Sequence, residues 1–161
     1  MNDDITIETA TSEDLPYLAD LLGELFSLGT DFAVDHAKQM RGLRLILEQP
    51  SRGRIFVIRR DAMIFGMINL LFTISTAEGG FVALLEDLVI HKDYRGQDFG
   101  HRLLLHAVSY CREKDILRIT LVTDRGREDA ARFFRANGFK ESNLLVMRRL
   151  LAKEEQSTLN S

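Results

Sequence analysis

Residues 85–104 read LEDLVIHKDYRGQDFGHRLL, in which an apolar strand runs through a glycine-containing loop directly into a helix. The loop spans residues 95–100, and the helix that follows has an apolar face beginning at Leu103. Several backbone N–H groups therefore converge at a helix N-terminus, where the helix dipole adds positive potential. Phosphate and pyrophosphate bind at such places. The pattern predicts an anion site, although a strand, a glycine turn and a helix also follow one another for purely steric reasons.

The spacing of apolar residues predicts helices and strands on both sides of this stretch. Before it we expect a strand at 5–9, helices over 15–26 and 40–47, and antiparallel strands at 54–60, 63–75 and 81–90. After it we expect a helix around 103–111, a strand at 117–123, a helix at 128–136 and a last strand at 143–151. The order βααβββαβαβ predicts an α/β (α+β) fold with a central mixed, mostly antiparallel sheet flanked by helices.

The composition is that of a folded globular protein: of 161 residues, 45% are hydrophobic and 28% are charged. We expect one domain over residues 1–152 and a polar C-terminal tail over 153–161. The net charge of −3 is unevenly divided, because residues 1–91 hold 7 Lys and Arg against 14 Asp and Glu, whereas residues 92–161 hold 14 against 10. This basic excess is too small for a nucleic-acid-binding surface and leaves two interpretations, a small polyanionic ligand or plain surface variation.

Cysteine and histidine usage bear on the compartment and on metal binding. Cys111 is the single cysteine, so the chain forms no internal disulfide, which suits a reducing compartment. The first residues are acidic, and no apolar run approaches the roughly 20 residues that cross a bilayer. The four histidines do not combine with Cys or carboxylates at metal-ligand spacing. We therefore expect a cytoplasmic protein with no membrane partner and no bound metal.

Two motifs resemble those of a known family. The loop reads RGQDFG over residues 95–100 and resembles the Arg/Gln-x-x-Gly-x-Gly/Ala signature of the GCN5-related N-acetyltransferase (GNAT) family. Downstream, residues 130–139 read AARFFRANGF and are similar to that family's Ala-x-x-Phe-Tyr-x-x-x-Gly-Phe. The predicted order of elements over about residues 4–150 also matches, so the resemblance covers nearly the whole chain and implies the GNAT fold.

The resemblance implies acetyl-CoA as co-substrate and a primary amine as acceptor. It further implies that the pyrophosphate binds the amides of residues 96–102 and that the pantetheine arm pairs with the main chain of residues 88–90. The residues expected to bind the cofactor are Leu88, Val89, Ile90, Arg95, Gly96, Gln97, Asp98, Phe99, Gly100, His101, Arg102, Arg127, Phe133 and Phe134. A homodimer, common in that family, is left open by the sequence.

Two adjacent carboxylates precede the expected cofactor-binding strand. The resemblance to the diamine acetyltransferase branch implies Glu86 as general base, directly or through water, with burial raising its pKa. Asp87 faces the other side of an ideal strand unless a bulge turns it inward. Asp31 and Asp87 are expected to bind the acceptor, which favours a primary amine of a small molecule, such as a polyamine or an amino-acid-like amine, over a peptide N-terminus. The alternative is that Glu86 and Asp87 merely cap or pair with arginines.

Three residues depart from the family pattern. Asp98 replaces the central glycine of the loop and brings a negative charge, which is compatible with CoA binding if its side chain turns outward. Phe134 stands where the family usually has a tyrosine that protonates the leaving thiolate, and Arg127 stands where asparagine is common. Asp98 and Phe134 support an alternative function, that of a non-catalytic acyl-CoA-binding or regulatory module with a degenerate active site.

Overall fold

The structure is a computed structural model that describes residues 4–29 and 32–151. Asp31 and the predicted tail 153–161 lie outside the described residues. The chain divides into two compact units, Met1–Glu128 and Asp129–Ser161, and each unit is described by itself. Among the described residues, none of the helices is both long enough and apolar enough to span a bilayer.

The first unit is built on a five-stranded sheet with the spatial order β1-β2-β3-β4-β5. Its strands are β1 Ile5–Thr9, β2 Gly53–Arg60, β3 Met63–Ser75, β4 Gly80–Ile90 and β5 Ile119–Leu121. The first four strands pair in antiparallel fashion, and β5 lies parallel to β4. The predicted mixed, mostly antiparallel sheet is therefore confirmed.

The helices also form where the apolar spacing predicts them. They are α1 Leu15–Leu28, α2 His36–Leu47 and α3 Phe99–Glu113, with α4 Glu128–Ala136 making up most of the regular structure of the second unit. The Asp35 side chain caps α2 by accepting the Lys38 N–H at 3.1 Å. In the second unit Gly138 has φ 89°, and its left-handed conformation ends α4 as the Asn-Gly pair predicts.

The two faces of the sheet pack against different helices. One face contributes Ile55, Val57, Met67 and Val89 to a buried cluster with residues of α1 and α2 such as Leu18. The opposite face packs on α3, where Phe65 of β3 meets the ring of Phe99 edge-on at 4.9 Å. Side chains in register with Met67 and Val89 therefore point toward α1 and α2.

The predicted last strand, residues 143–151, is not formed among the described residues. Alternating side chains predict a strand, but a strand also needs a neighbouring backbone to complete its hydrogen bonds, and the side-chain pattern does not reveal that neighbour. β5 is likewise shorter than predicted, Ile119–Leu121 instead of 117–123. The described element order is βααβββαβα.

A buried acidic residue, Asp14, joins the start of α1 to the sheet. Its carboxylate accepts the Thr11 N–H at 2.8 Å and lies 3.3 Å from the Arg59 guanidinium, which also contacts Glu8. We expect Asp14→Ala to lower the free energy of unfolding by about 2 kcal/mol, because it leaves a largely buried guanidinium and an amide without this partner. Urea denaturation measures the loss. The matched control is Glu8→Ala, an exposed partner of the same arginine, which should cost less than about 1 kcal/mol; equal losses in the two variants would contradict the account.

Candidate active site

β4 and β5 run side by side over only three residue pairs. In the described part of the chain their ladder ends at the pair Leu85 and Leu121. From residue 87 to residue 90, β4 keeps its antiparallel partner β3 on one side and, among the described residues, has no strand partner on the other. Unpaired main-chain N–H and C=O groups along such an edge can pair with an extended ligand as an added strand would.

A β-bulge lies at the point where the two parallel strands separate. Asn69 of β3 pairs with Asp87, whereas the next residue, Leu70, pairs with Leu85, so Glu86 is the extra residue. A bulge bends the strand and changes which face the following side chains point to. Asp87 thereby shares the face of Met67 and Val89, the face that packs on α1 and α2.

Asp87 is a half-buried carboxylate with one identified hydrogen-bond donor. Asn69 Nδ2 donates to Asp87 Oδ2 at 3.1 Å. Burial against the apolar cluster raises the pKa of Asp87 to about 6, with the Asn69 hydrogen bond opposing the rise and the charge of Glu86 adding to it. A carboxylate with this pKa is ionised at neutral pH and is a stronger base than an ordinary aspartate.

Glu86 does not have the environment expected of it. Its side chain is exposed, so the predicted burial is wrong, and the reason is the bulge, which leaves Glu86 outside the regular alternation. The bulge that the sequence left open for Asp87 is the one that forms. Of the two carboxylates, Asp87 has the environment that was expected of Glu86.

The loop before α3 has the backbone shape of an anion site. Gly96 has φ 75°, a left-handed conformation that glycine adopts without strain. The Arg102 N–H donates to the Asp98 carbonyl oxygen at 3.1 Å across the start of α3. The amides of Phe99 and Gly100 therefore precede the hydrogen-bonded ladder of α3, at the positive end of its dipole.

Asp98 occupies a position that favours glycine. It caps α3 with φ 69°, also left-handed, and its exposed side chain makes no capping hydrogen bond. Aspartate tolerates this conformation better than most residues do. The orientation of this side chain relative to a bound pyrophosphate stays a prediction.

The start of the loop is held by α1 and by the end of β4. Arg95 Nε donates to the carbonyl oxygen of Ile90 at 2.9 Å, and its guanidinium lies 3.7 Å from the Glu24 carboxylate. His91 Nε2 lies 3.4 Å from the other oxygen of Glu24. The Tyr94 ring stacks on Phe65 at 4.4 Å. Arg95 thus lies at the start of the loop as expected, but its guanidinium is paired with the carboxylate of Glu24. Glu24 is a residue of α1 that the sequence analysis did not single out.

The remaining predicted cofactor residues fall into both units. In the first unit, Gln97 and Arg102 are exposed, His101 and Arg127 are half-buried, and Arg127 N donates to Asp124 O at 3.0 Å. In the second unit, the Phe134 ring packs edge-on against Phe133 at 5.3 Å and against Phe139 at 5.6 Å. Phe133 and Phe134 therefore form an aromatic group within their own unit.

Asn69 is the site residue that sequence reasoning missed. It is 3% exposed, yet it stands in the apolar run 63–72, MIFGMINLLF, as the single polar side chain. A lone amide in a central strand is a signal, because burying an amide is unfavourable unless it finds a hydrogen-bond partner.

No group of three or more potential metal ligands occurs among residues 4–29 and 32–151.

Comparison with known sequences gives one family and a partial relative. The sequence pattern of the family described as acetyltransferase (GNAT) domain matches residues 51–141. An aminoalkylphosphonate N-acetyltransferase of Salmonella typhimurium is 30% identical over 84 residues, which make up 52% of this chain and 54% of that protein. The matched region thus spans about half the length of this relative.

Solved structures share the fold over nearly the whole chain. A crystal structure described as a transcriptional regulator from Bacillus halodurans C-125 is 27% identical with a TM-score of 0.77, covering 91% of this chain and 99% of that chain. The aminoglycoside N-acetyltransferase AAC(6')-Iy, solved in complex with CoA, has a TM-score of 0.77 at 14% identity and covers 92% of this chain and 95% of its own. The latter similarity is one of fold.

Proposed function

Because the chain belongs to the acetyltransferase (GNAT) domain family, we propose that it transfers the acetyl group of acetyl-CoA to a primary amine of a small molecule by direct attack. The observation that carries the proposal is the bulge at Glu86, beside which β4 loses its partner β5 and Asp87 gains a raised pKa. An open strand edge and a carboxylate base then adjoin one another.

The donor side of the proposal rests on the loop and on the open edge of β4. The amides of Phe99 and Gly100 suit a pyrophosphate, and Gly96 lets the backbone approach it without a side chain in the way. The main chain of residues 86–90 suits the pantetheine arm, except that Arg95 already occupies the Ile90 carbonyl. Asp98 is the residue that fits least, since its charge repels phosphate.

The chemistry follows from what these residues can do. When bound, acetyl-CoA supplies an activated thioester. Asp87 takes a proton from the acceptor ammonium, and an N–H of the β4 edge donates to the carbonyl oxygen as negative charge develops there. The amine nitrogen then forms the C–N bond as the C–S bond breaks, and the second proton lost by the nitrogen reaches the thiolate through solvent. Phe134 carries no proton to donate, so solvent is the proton source in this scheme.

Two acidic residues at the open edge, and a third that is close to α1 in sequence, favour a cationic acceptor. Glu86 and Asp87 lie next to one another in β4, and Asp31 follows α1 in the sequence outside the described residues. A polyamine or an amino-acid-like amine carries the complementary charge. Two similar proteins are named as an aminoalkylphosphonate and an aminoglycoside acetyltransferase, so we add these small amino compounds to the candidate acceptors.

The test is release of CoA thiol from acetyl-CoA in the presence of a panel of polyamines, amino acids, aminoalkylphosphonates and aminoglycosides, with the acetylated product identified by mass spectrometry. We expect turnover with at least one amine and none when the amine is replaced by its N-acetylated form. Tight CoA binding without turnover on the whole panel would contradict the proposal.

The second candidate function is a non-catalytic acyl-CoA-binding or regulatory module. Two observations favour it: Phe134 cannot act as an acid, and a structure of 27% identity is described as a transcriptional regulator. Calorimetry with CoA, ATP and NAD separates this candidate from a general nucleotide-binding protein. Binding of ATP but not CoA would defeat both candidates.

A further inference from the structure

Asn69 faces the proposed base from the neighbouring strand. It lies opposite Asp87 in the ladder between β3 and β4, and its sequence neighbours Ile68 and Leu70 are fully buried. The side chain is 3% exposed, so it has no access to bulk water. A buried amide is retained at little cost only when its polar atoms find partners.

The amide uses its donor and leaves its acceptor unused. Asn69 Nδ2 donates to Asp87 Oδ2 at 3.1 Å, whereas the buried Asn69 Oδ1 has no hydrogen-bond partner among the described residues. An ionised carboxylate only accepts hydrogen bonds, so it requires the Nδ2 side of the amide. A protonated carboxyl group can donate, and a half-turn of the amide would present Oδ1 to it.

We propose that Asn69 is a positioning residue that holds Asp87 in place in both of its protonation states, donating to the carboxylate before proton transfer and accepting from the carboxyl group after it. The inference rests on the proposed function, since it concerns the proton that Asp87 takes from the acceptor amine. Asn69 itself need not touch the substrate.

Other charged groups near Asp87 limit what else could set its titration. Glu86 on the same strand is the titratable neighbour whose charge acts on Asp87. On α1, which packs on this face, Glu24 is engaged by Arg95 and His91 at the end of β4. Asn69 is therefore the uncharged neighbour whose hydrogen bond acts differently on the ionised and the protonated forms of Asp87.

The test compares the titration of Asp87 in the wild type and in Asn69→Leu, which is similar in size and has no hydrogen-bonding group. Carboxyl-carbon NMR follows Asp87, its resonance being assigned by its loss in Asp87→Asn. Asn69→Leu removes the hydrogen bond in both protonation states, but the bond to the ionised carboxylate is charge-assisted and stronger than the bond to the neutral carboxyl group. The ionised form therefore loses more stabilisation, and we expect the Asp87 midpoint to rise by about one pH unit. The acid limb of the pH profile of kcat/KM should move with it, while the KM for acetyl-CoA stays within about twofold.

Two further variants guard against a structural explanation. Gln39→Leu removes a second buried amide, on α2, and should leave the Asp87 midpoint unchanged. Asn69→Ser keeps a group that can both donate and accept, so its midpoint should lie between wild type and Asn69→Leu; it also serves if the leucine variant does not fold. An unmoved midpoint in the folded Asn69 variants would overturn the inference, whether or not any amine is acetylated. A moved midpoint without turnover would retain the hydrogen-bond role of Asn69 and reject the acetyltransferase function alone.

Discussion

Replacing Asp87 with asparagine should lower kcat by about 100-fold or more and leave the KM for acetyl-CoA within about twofold. Asparagine keeps the size of the side chain and can still accept the hydrogen bond from Asn69, but it cannot take a proton at neutral pH. The measurement is steady-state kinetics with the best amine of the panel. In the wild type, kcat/KM should fall as the pH drops through about 6, because the raised pKa of Asp87 means that it is protonated below that value.

The matched control for Asp87→Asn is Glu86→Gln at the neighbouring bulge position. Because Glu86 is exposed, its loss should cost much less in kcat than the loss of Asp87. The original sequence-based assignment makes the opposite prediction. If Glu86→Gln abolishes turnover and Asp87→Asn does not, Glu86 is the base and the assignment of that role to Asp87 is wrong.

The same substitution should also raise stability at neutral pH. The pKa of Asp87 is raised from 3.8 to about 6 in the folded state, so the folded protein binds this proton more tightly than the unfolded chain does. The stability that this proton supplies is lost as the pH rises from 3.8 through about 6 and Asp87 becomes charged. Asparagine removes that charge. We expect a higher Tm for Asp87→Asn at pH 7.5 and a smaller difference at pH 5, which thermal unfolding at both pH values would check. A lower Tm at pH 7.5 would show that the carboxylate stabilises the fold.

The second large effect concerns the loop. Asp98→Gly should tighten CoA binding by about 10-fold, because it removes one negative charge from a loop that is to receive a pyrophosphate. The φ of 69° at this position is one that glycine adopts freely, so the variant should fold at least as well as the wild type. Calorimetry at low salt measures the Kd, and the gain should shrink as salt screens the charge.

Asp98→Asn separates charge from backbone shape at this position. Asparagine also tolerates the left-handed conformation and keeps a Cβ, so most of the gain should remain if charge is the cause. A gain confined to glycine would point to the backbone or the Cβ instead. Weaker binding in both variants would mean that the Asp98 carboxylate contributes favourably to the ligand site, contrary to the account.

Much of the fold could be predicted from local sequence pattern. The alternation in Met63–Ser75 and the helical spacing in Leu15–Leu28 reflect burial on one side of an element. Such one-sided burial is visible directly in the spacing of apolar residues along the sequence. The glycine loop before α3 was predictable for a similar reason, since a helix start with preceding glycines constrains the backbone locally.

The rest depends on which strands meet and in what register. The bulge at Glu86 is a register mismatch between β3 and β4, whose paired residues Asn69 and Asp87 are 18 residues apart in sequence. The sequence of either strand taken alone does not reveal this mismatch. The resemblance to the diamine acetyltransferase branch pointed to Glu86, and the sequence alone did not show that a bulge would place Asp87 opposite Asn69. The prediction of a strand at 143–151 was wrong for a related reason, because alternating side chains do not show whether a neighbouring strand is there to pair with. Asp31 lies outside the described residues, so its place on the acceptor side stays a prediction.

A crystal structure with bound acetyl-CoA would show whether the loop before α3 and the bulge at Glu86 form one acetyl-transfer site. We expect the pyrophosphate to lie on the amides of Phe99 and Gly100 and the pantetheine arm to follow the open edge of β4 from residue 86 onward. The Asp87 carboxylate should face the thioester directly or through one water. A pyrophosphate bound away from this loop, or a thioester remote from the bulge at Glu86, would contradict it.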